Sequence, residues 1–191
     1  RSGGGTFVRG GLVGPNGFVD VDVSNRLRYT RFLDSFPPVM VDVPVDVILG
    51  QDEIKSAIQT HLGTVVVLTG NSEATTLVEF DGSTGDVIRT RAFQSDLVDV
   101  IDERELDPRE HLLVGLAATG EVILIPPDGG NEVPDLKYGQ VPAGSQGIAL
   151  GTGMVTAAAT DGTLVTLLSN QNGQGSFPQS INIGHGPCVV C

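Results

Sequence analysis

Short apolar runs, each followed by a polar turn and a second apolar run, recur along the chain. They are FVDVDVSNRLRYTRF from Phe18, TVVVLTGNSEATTLVEF from Thr64, HLLVGLAATGEVILI from His111 and MVTAAATDGTLVTLL from Met154. Successive starts lie 46, 47 and 43 residues apart. A period of that size, made of strand-like runs and Gly-rich turns, marks one supersecondary unit used repeatedly. In FVDVDV the alternation puts Phe18, Asp20 and Asp22 on one face and Val19, Val21 and Val23 on the other, a half-buried strand. VMVDVPVDV from Val39 predicts a second strand after Pro37-Pro38, and Pro44 assigns it to an edge because proline donates nothing to a ladder. One segment breaks the pattern. In QDEIKSAIQTHL from Gln51, Ile54, Ala57, Ile58 and Leu62 recur at three and four positions, with Asp52 and Glu53 in front and Gly63 behind. That spacing predicts a short helix or helical turn.

Turn chemistry supports hairpins in the second half. Asp81–Asp86 separates TTLVEF from VIRTRAF, Thr119-Gly120 separates LLVGLA from EVILIP, and Asp161-Gly162 separates VTAAAT from TLVTLL. Asp-Gly and Thr-Gly supply the positive-φ positions of tight turns between antiparallel strands. DERELDPRE from Asp102 reads as a solvated charged loop, and residues 1–17 as a Gly-rich N-terminal arm leading into a β-repeat domain over 18–191. The expected fold is all-β: a β-propeller-like repeat of about four antiparallel blades. Such an array closes as a small ring, is completed by another chain, or belongs to a longer protein, since a partial ring leaves long strand edges exposed. A β-sandwich from the same strands is the alternative.

The stretch from Thr64 to Cys191 resembles the YVTN-type propeller repeat and, more loosely, quinoprotein and NHL-type blades. VPAGSQGIAL, GMVTAAATDGTLVTLL and SINIGHGPCVVC are similar to the family's opening strand, its strand–Gly turn–strand passage and its lead into the next blade, in that order. LVEFDGSTGDVIRTRAF is similar to the third-strand, Thr-Gly, fourth-strand passage of an earlier blade. The chain departs from the family in two ways. Met154-Val155-Thr156-Ala157 stands where the aromatic Tyr-Val strand is expected, and about four units are present where family propellers usually close with more. The resemblance implies a propeller fold and keeps a quinoprotein-like enzyme in view.

Composition narrows the partners. Net charge is −12, with 23 acids against 11 basic residues, of which Lys55 and Lys137 are the lysines. Such a surface repels phosphate backbones, so no nucleic-acid partner is expected. Few Lys and many Asp fit a salt-adapted proteome or a GC-rich genome. No apolar run approaches the ~20 residues of a membrane span. With no Trp, two Tyr and seven Phe, the core must be Val, Leu, Ile and Ala, which suits strands. RSGGGTF carries neither initiator Met nor signal peptide, and the sequence stops at Cys191 within a strand-like run, so a processed, trimmed or fragmentary chain is expected.

Candidate chemistry is sparse. Cys188 and Cys191 form a Cys-x-x-Cys, the spacing of a local disulfide, a redox pair, half a zinc site or the start of a haem-attachment motif. Zinc needs two more ligands, of which His185 offers one, and haem attachment needs a His after Cys191. A local disulfide, or two thiols pinning a terminus, is the simplest reading. His61, His111 and His185 fall in different repeats, which a propeller brings to a common axis, and are otherwise surface or hydrogen-bonded residues. The acidic turns Asp81–Asp86, Asp128–Glu132 and Asp161-Gly162 match no calcium-loop pattern and are explained by turn formation. No catalytic, cofactor-binding or metal residue is assigned, and no cofactor is expected.

The function these features favour is a non-catalytic structural or interaction module of an extracellular, cell-envelope or virion-surface assembly, with a protein partner or self-association. Its alternatives are a subunit or fragment of a propeller enzyme, either a quinoprotein-like oxidoreductase or a hydrolase, and a redox subunit using the terminal Cys pair.

Overall fold

The computed structural model describes residues 11–12, 17–37, 39–49, 52–103, 112–126, 136–151, 154–158, 163–169 and 175–182. Among the described residues the protein is entirely β, with no helix. It divides into two compact units, Arg1–Phe93 and Gln94–Cys191.

The first unit holds two sheets. β1 (Gly11–Leu12), β2 (Gly17–Val21), β3 (Arg26–Leu33) and β4 (Val39–Ile48) follow one another in sheet order as in sequence, all antiparallel. β5 (Glu53–Gln59), β6 (Thr64–Gly70), β7 (Thr75–Asp81) and β8 (Val87–Phe93) repeat the arrangement. β1 runs through Gly11-Leu12, inside the segment read as an arm. β4 is the outer strand of its sheet, where Pro44 predicts an edge.

The second unit follows the same plan. β9 (Leu97–Glu103), β10 (Leu112–Ala117), β11 (Glu121–Ile125) and β12 (Leu136–Gln140) form one sheet. β13 (Gly147–Gly151), β14 (Met154–Ala158), β15 (Thr163–Ser169) and β16 (Gly175–Asn182) form the other. Each repeat seen in the sequence is the central hairpin of one sheet: β2–β3, β6–β7, β10–β11 and β14–β15.

Turns follow the residues that favour them. In the β2–β3 connection, the Asp22 carboxylate accepts the backbone N–H groups of Ser24 (2.7 Å) and Arg26 (3.0 Å), and Asn25 takes φ 57°. Asparagine tolerates that conformation better than most residues. Asp81–Asp86 joins β7 to β8, and Thr119-Gly120 joins β10 to β11. Asp161-Gly162 lies outside the described residues, but β14 and β15 on either side pair antiparallel. Asp102 and Glu103 continue β9 as strand, correcting the loop reading there.

The predicted helix over QDEIKSAIQTHL is instead β5 and the turn after it. A β-bulge explains the misleading spacing. Ile54 pairs with Thr69 and Ser56 with Leu68, so Lys55 is an extra residue. The bulge returns Ile54 and Ala57 to one face, and both pack against the same core as Val65 and Val67. Three-residue spacing on one face imitates a helix but arises here from a strand with one residue inserted.

The first unit's core joins Val19, Leu27, Tyr29, Val43 and Val45 of the first sheet to Val65, Val67, Val78 and Phe80 of the second. Tyr29 meets Phe80 edge-on with centroids 5.8 Å apart. Burial raises the Tyr29 pKa. The opposite face of β6 and β7 (Val66, Leu68 and Leu77) is fully buried too. Each such side chain contributes about 1.5–3 kcal/mol when wholly removed from water. Among the described residues the buried Tyr29 hydroxyl has no hydrogen-bond partner, whereas the buried carboxylate of this interior is bonded. Glu79, 2% exposed, accepts from Arg89 Nε (2.6 Å) and the Thr64 hydroxyl (2.7 Å). In the second unit Val114, Leu116, Val122, Leu124, Tyr138, Val141 and Ile148 form the core. There the Asp99 carboxylate on β9 accepts the backbone N–H of Ile148 on β13 at 3.0 Å, tying the first strands of the two sheets.

Candidate functional site

The first unit carries an open groove of about 740 Å³ along the outer strand of its first sheet. Three segments distant in sequence build it: the β2–β3 turn, the middle of β4, and the β7–β8 turn. Pro44 and the half-exposed Val87 offer apolar surface over the buried Leu27, Val43 and Val45. A close approach holds the walls together. A Cβ on Gly85 would stand 1.9 Å from the Pro44 carbonyl oxygen, so at this point only glycine lets the β7–β8 turn lie against β4.

The charged rim divides into paired and unpaired groups. Arg26 donates to Asp46 at 2.6 Å. Arg28 grips the buried Asp20 through two bonds, one of them Nε to Oδ1 at 2.7 Å. That carboxylate raises the Arg28 pKa, so the guanidinium stays charged. Asp20, on the face of β2 opposite Val19, is itself buried: Arg28, directly opposite on β3, covers and neutralises it. Three rim carboxylates receive neutral donors instead. Asp42 accepts the Thr30 hydroxyl (2.8 Å), Asp86 the Thr84 hydroxyl (2.8 Å), and Asp22 its two turn amides. The Arg26 amide, then the Ser24 amide, hold the Asp22 carboxyl below its ordinary pKa.

A second surface feature adjoins this one. Nine large apolar residues are exposed among the described residues, and seven of them lie on or next to the outer strands β4 and β8: Phe36, Val39, Met40, Val41 and Ile48, then Val87 and Ile88. Val23 and Leu62 are in turns.

Of the histidines and cysteines singled out from sequence, His61 alone is among the described residues. His61 stands in the turn between β5 and β6. His111, His185, Cys188 and Cys191 lie outside the described residues, as does the acidic stretch Asp128–Glu132. In the Asp81–Asp86 turn the Asp81 carboxylate accepts the Ser83 hydroxyl and the amides of Ser83 (2.7 Å) and Thr84 (3.0 Å). These bonds, the Ser83 hydroxyl first, pull its pKa down. That turn is therefore occupied with its own backbone. Among the described residues no group of three His, Cys, Asp or Glu is placed to hold a metal ion. No helix there is long and apolar enough to cross a membrane. The groove escaped sequence reading because its walls are assembled from residues 22–28, 42–46 and 84–87. The available signal was the alternation of Arg26 and Arg28 on one strand, and of Asp42, Pro44 and Asp46 on the next.

No family model and no curated protein sequence matches the chain. Its fold is similar to the crystal structure of the computationally designed Ika8 protein, with a TM-score of 0.63 at 15% identity. The match covers 92% of this chain and 49% of that one, so the chain spans about half the length of its designed counterpart.

Proposed function

We propose that the chain is a non-catalytic interaction module, built of propeller-type blades, within an extracellular, cell-envelope or virion-surface assembly. The observation that carries this reading is the set of exposed apolar side chains on or next to the outer strands: Phe36, Val39, Met40, Val41, Ile48, Val87 and Ile88. Large apolar side chains left in water are costly, and where they gather on outer strands they mark surface that another chain can cover. Outer strands also offer unpaired backbone groups to a partner. The blade reading draws support from the four sheets, each with four strands in sequence order. It also draws support from the approach of β1 to β5 and of β9 to β13 within their units, which suits blades whose first strands lie innermost.

Light scattering tests it. The native chain is expected to self-associate as its concentration rises, and Met40→Asp is expected to return it to monomer without lowering its thermal midpoint. A native chain that remains monomeric at high concentration and in high salt removes the apolar strip as an interface and this function with it.

A further inference from the structure

We infer that the groove along β4 docks a basic extended protein segment, with cationic and apolar side chains alternating along one of its faces. This rests on the reading of the chain as an interaction module and specifies the chemistry of its partner.

The charges of the groove set the sign. Arg26 and Arg28 are committed to Asp46 and Asp20. Asp22, Asp42 and Asp86 accept bonds from neutral donors, and among the described residues no Lys or Arg lies within ion-pair distance of them. The unmet charge facing the groove is negative, on a chain of net charge −12, so a cationic segment is attracted and an acidic one repelled.

The shape sets the form of the ligand. A volume of about 740 Å³ falls within the range of roughly 300–1,000 Å³ usual for ligand sites. This groove, however, lies open along a strand rather than enclosed. Among the described residues β4 ends its sheet; the β7–β8 turn rests on it at Pro44, and to either side of that contact its outward N–H and C=O groups face no further strand. An added strand gains main-chain hydrogen bonds there, and side chains at every second position supply specificity. β4 dictates which side chains fit. It exposes Met40, Asp42, Pro44, Asp46 and Ile48 at alternate positions, in the order apolar, acid, apolar, acid, apolar. A strand laid beside it matches with cations near the acids and apolar residues on Pro44 and Val87.

Fluorescence anisotropy with a labelled peptide, Val-Thr-Lys-Thr-Val-Thr-Lys-Thr-Val, tests the assignment on the native chain in about 0.15 M salt, where distant charges are screened. The control peptide carries Glu for Lys. The Lys peptide is expected to bind and the Glu peptide not to. Asp86→Lys should weaken binding by about tenfold or more, since it sets a like charge against the ligand. Glu73→Lys makes the same charge change in the exposed β6–β7 turn and should alter binding by less than about twofold. Asp86→Asn, a gentler change, should give an intermediate loss, and circular dichroism checks that each variant is folded. Equal weakening by Asp86→Lys and Glu73→Lys, equal binding of both peptides, or no binding overturns the groove assignment. None of these outcomes alters the light-scattering result for Met40→Asp, so groove and module fail separately.

Discussion

Replacing Gly85 with alanine, compared with the same change at Gly63, isolates the cost of the contact that builds the groove wall. Both glycines hold left-handed backbone, φ +82° at Gly85 and +84° at Gly63, and both lie in the first unit. An alanine in that conformation costs about 1–2 kcal/mol. The surroundings differ sharply. A Cβ at Gly63 meets nothing within 4 Å. At Gly85 it meets the Pro44 oxygen at 1.9 Å and the Pro44 carbonyl carbon at 2.9 Å. Those atoms are backbone of a paired strand and cannot rotate aside, so the β7–β8 turn must lift away from β4. Overpacking of this kind adds about 1–3 kcal/mol. Urea unfolding followed by far-ultraviolet circular dichroism reads the difference. With a slope of about 1–3 kcal/mol per molar, Gly85→Ala should unfold roughly 1 M earlier in urea than Gly63→Ala. Equal midpoints for the two variants would mean that the turn does not rest on β4, and that the groove has no such wall.

Two further outcomes follow from single carboxylates. Asp81→Ala should lower the urea midpoint at neutral pH. Because the turn's donors depress the folded-state pKa of Asp81 below 3.8, its contribution is complete above the unfolded value and lost as pH falls through the folded one. The gap between native chain and variant, measured across a pH series, should therefore close on acidification, and a gap that widens in acid would contradict the assignment. Asp99→Ala removes the acceptor of the Ile148 N–H, on a residue 3% exposed, and should cost about 1–3 kcal/mol. Faster amide exchange at Ile148 is the direct readout, with unchanged exchange counting against the tie between β9 and β13.

The central hairpins were legible because two signals coincide in them. In β6–β7 and β10–β11 an apolar run meets a turn residue, and both flanking strands are buried on both faces, so their patterns carry little noise. Pro44 gave away the outer strand for a reason of covalent chemistry alone. β5 was misread because Lys55 interrupts its alternation, and a bulge is visible only once the partner strand is known. The burial of Asp20 is hidden from local pattern for a similar reason: its cover is Arg28, which pairs with it across a turn. The groove depends on Gly85 meeting Pro44, some forty positions apart in sequence, and no local pattern reports a contact of that range.

The sequential order of strands has a consequence for how the chain is made. Among the described residues, neighbouring strands in every ladder are also neighbours in sequence, and the widest rung joins Arg26 to Ile48. A hairpin closes in about 1–10 μs, whereas a ribosome adds about 5–20 residues per second. Each sheet can therefore assemble as soon as its own stretch has emerged, with no partner strand still to be synthesised. What a sheet cannot supply for itself is the cover for its faces: Val19, Leu27 and Tyr29 wait for β6 and β7 to arrive. Between those two moments the newborn first sheet shows its apolar side to water or to whatever chaperone attends it, and during that interval the chain is exposed to misassembly.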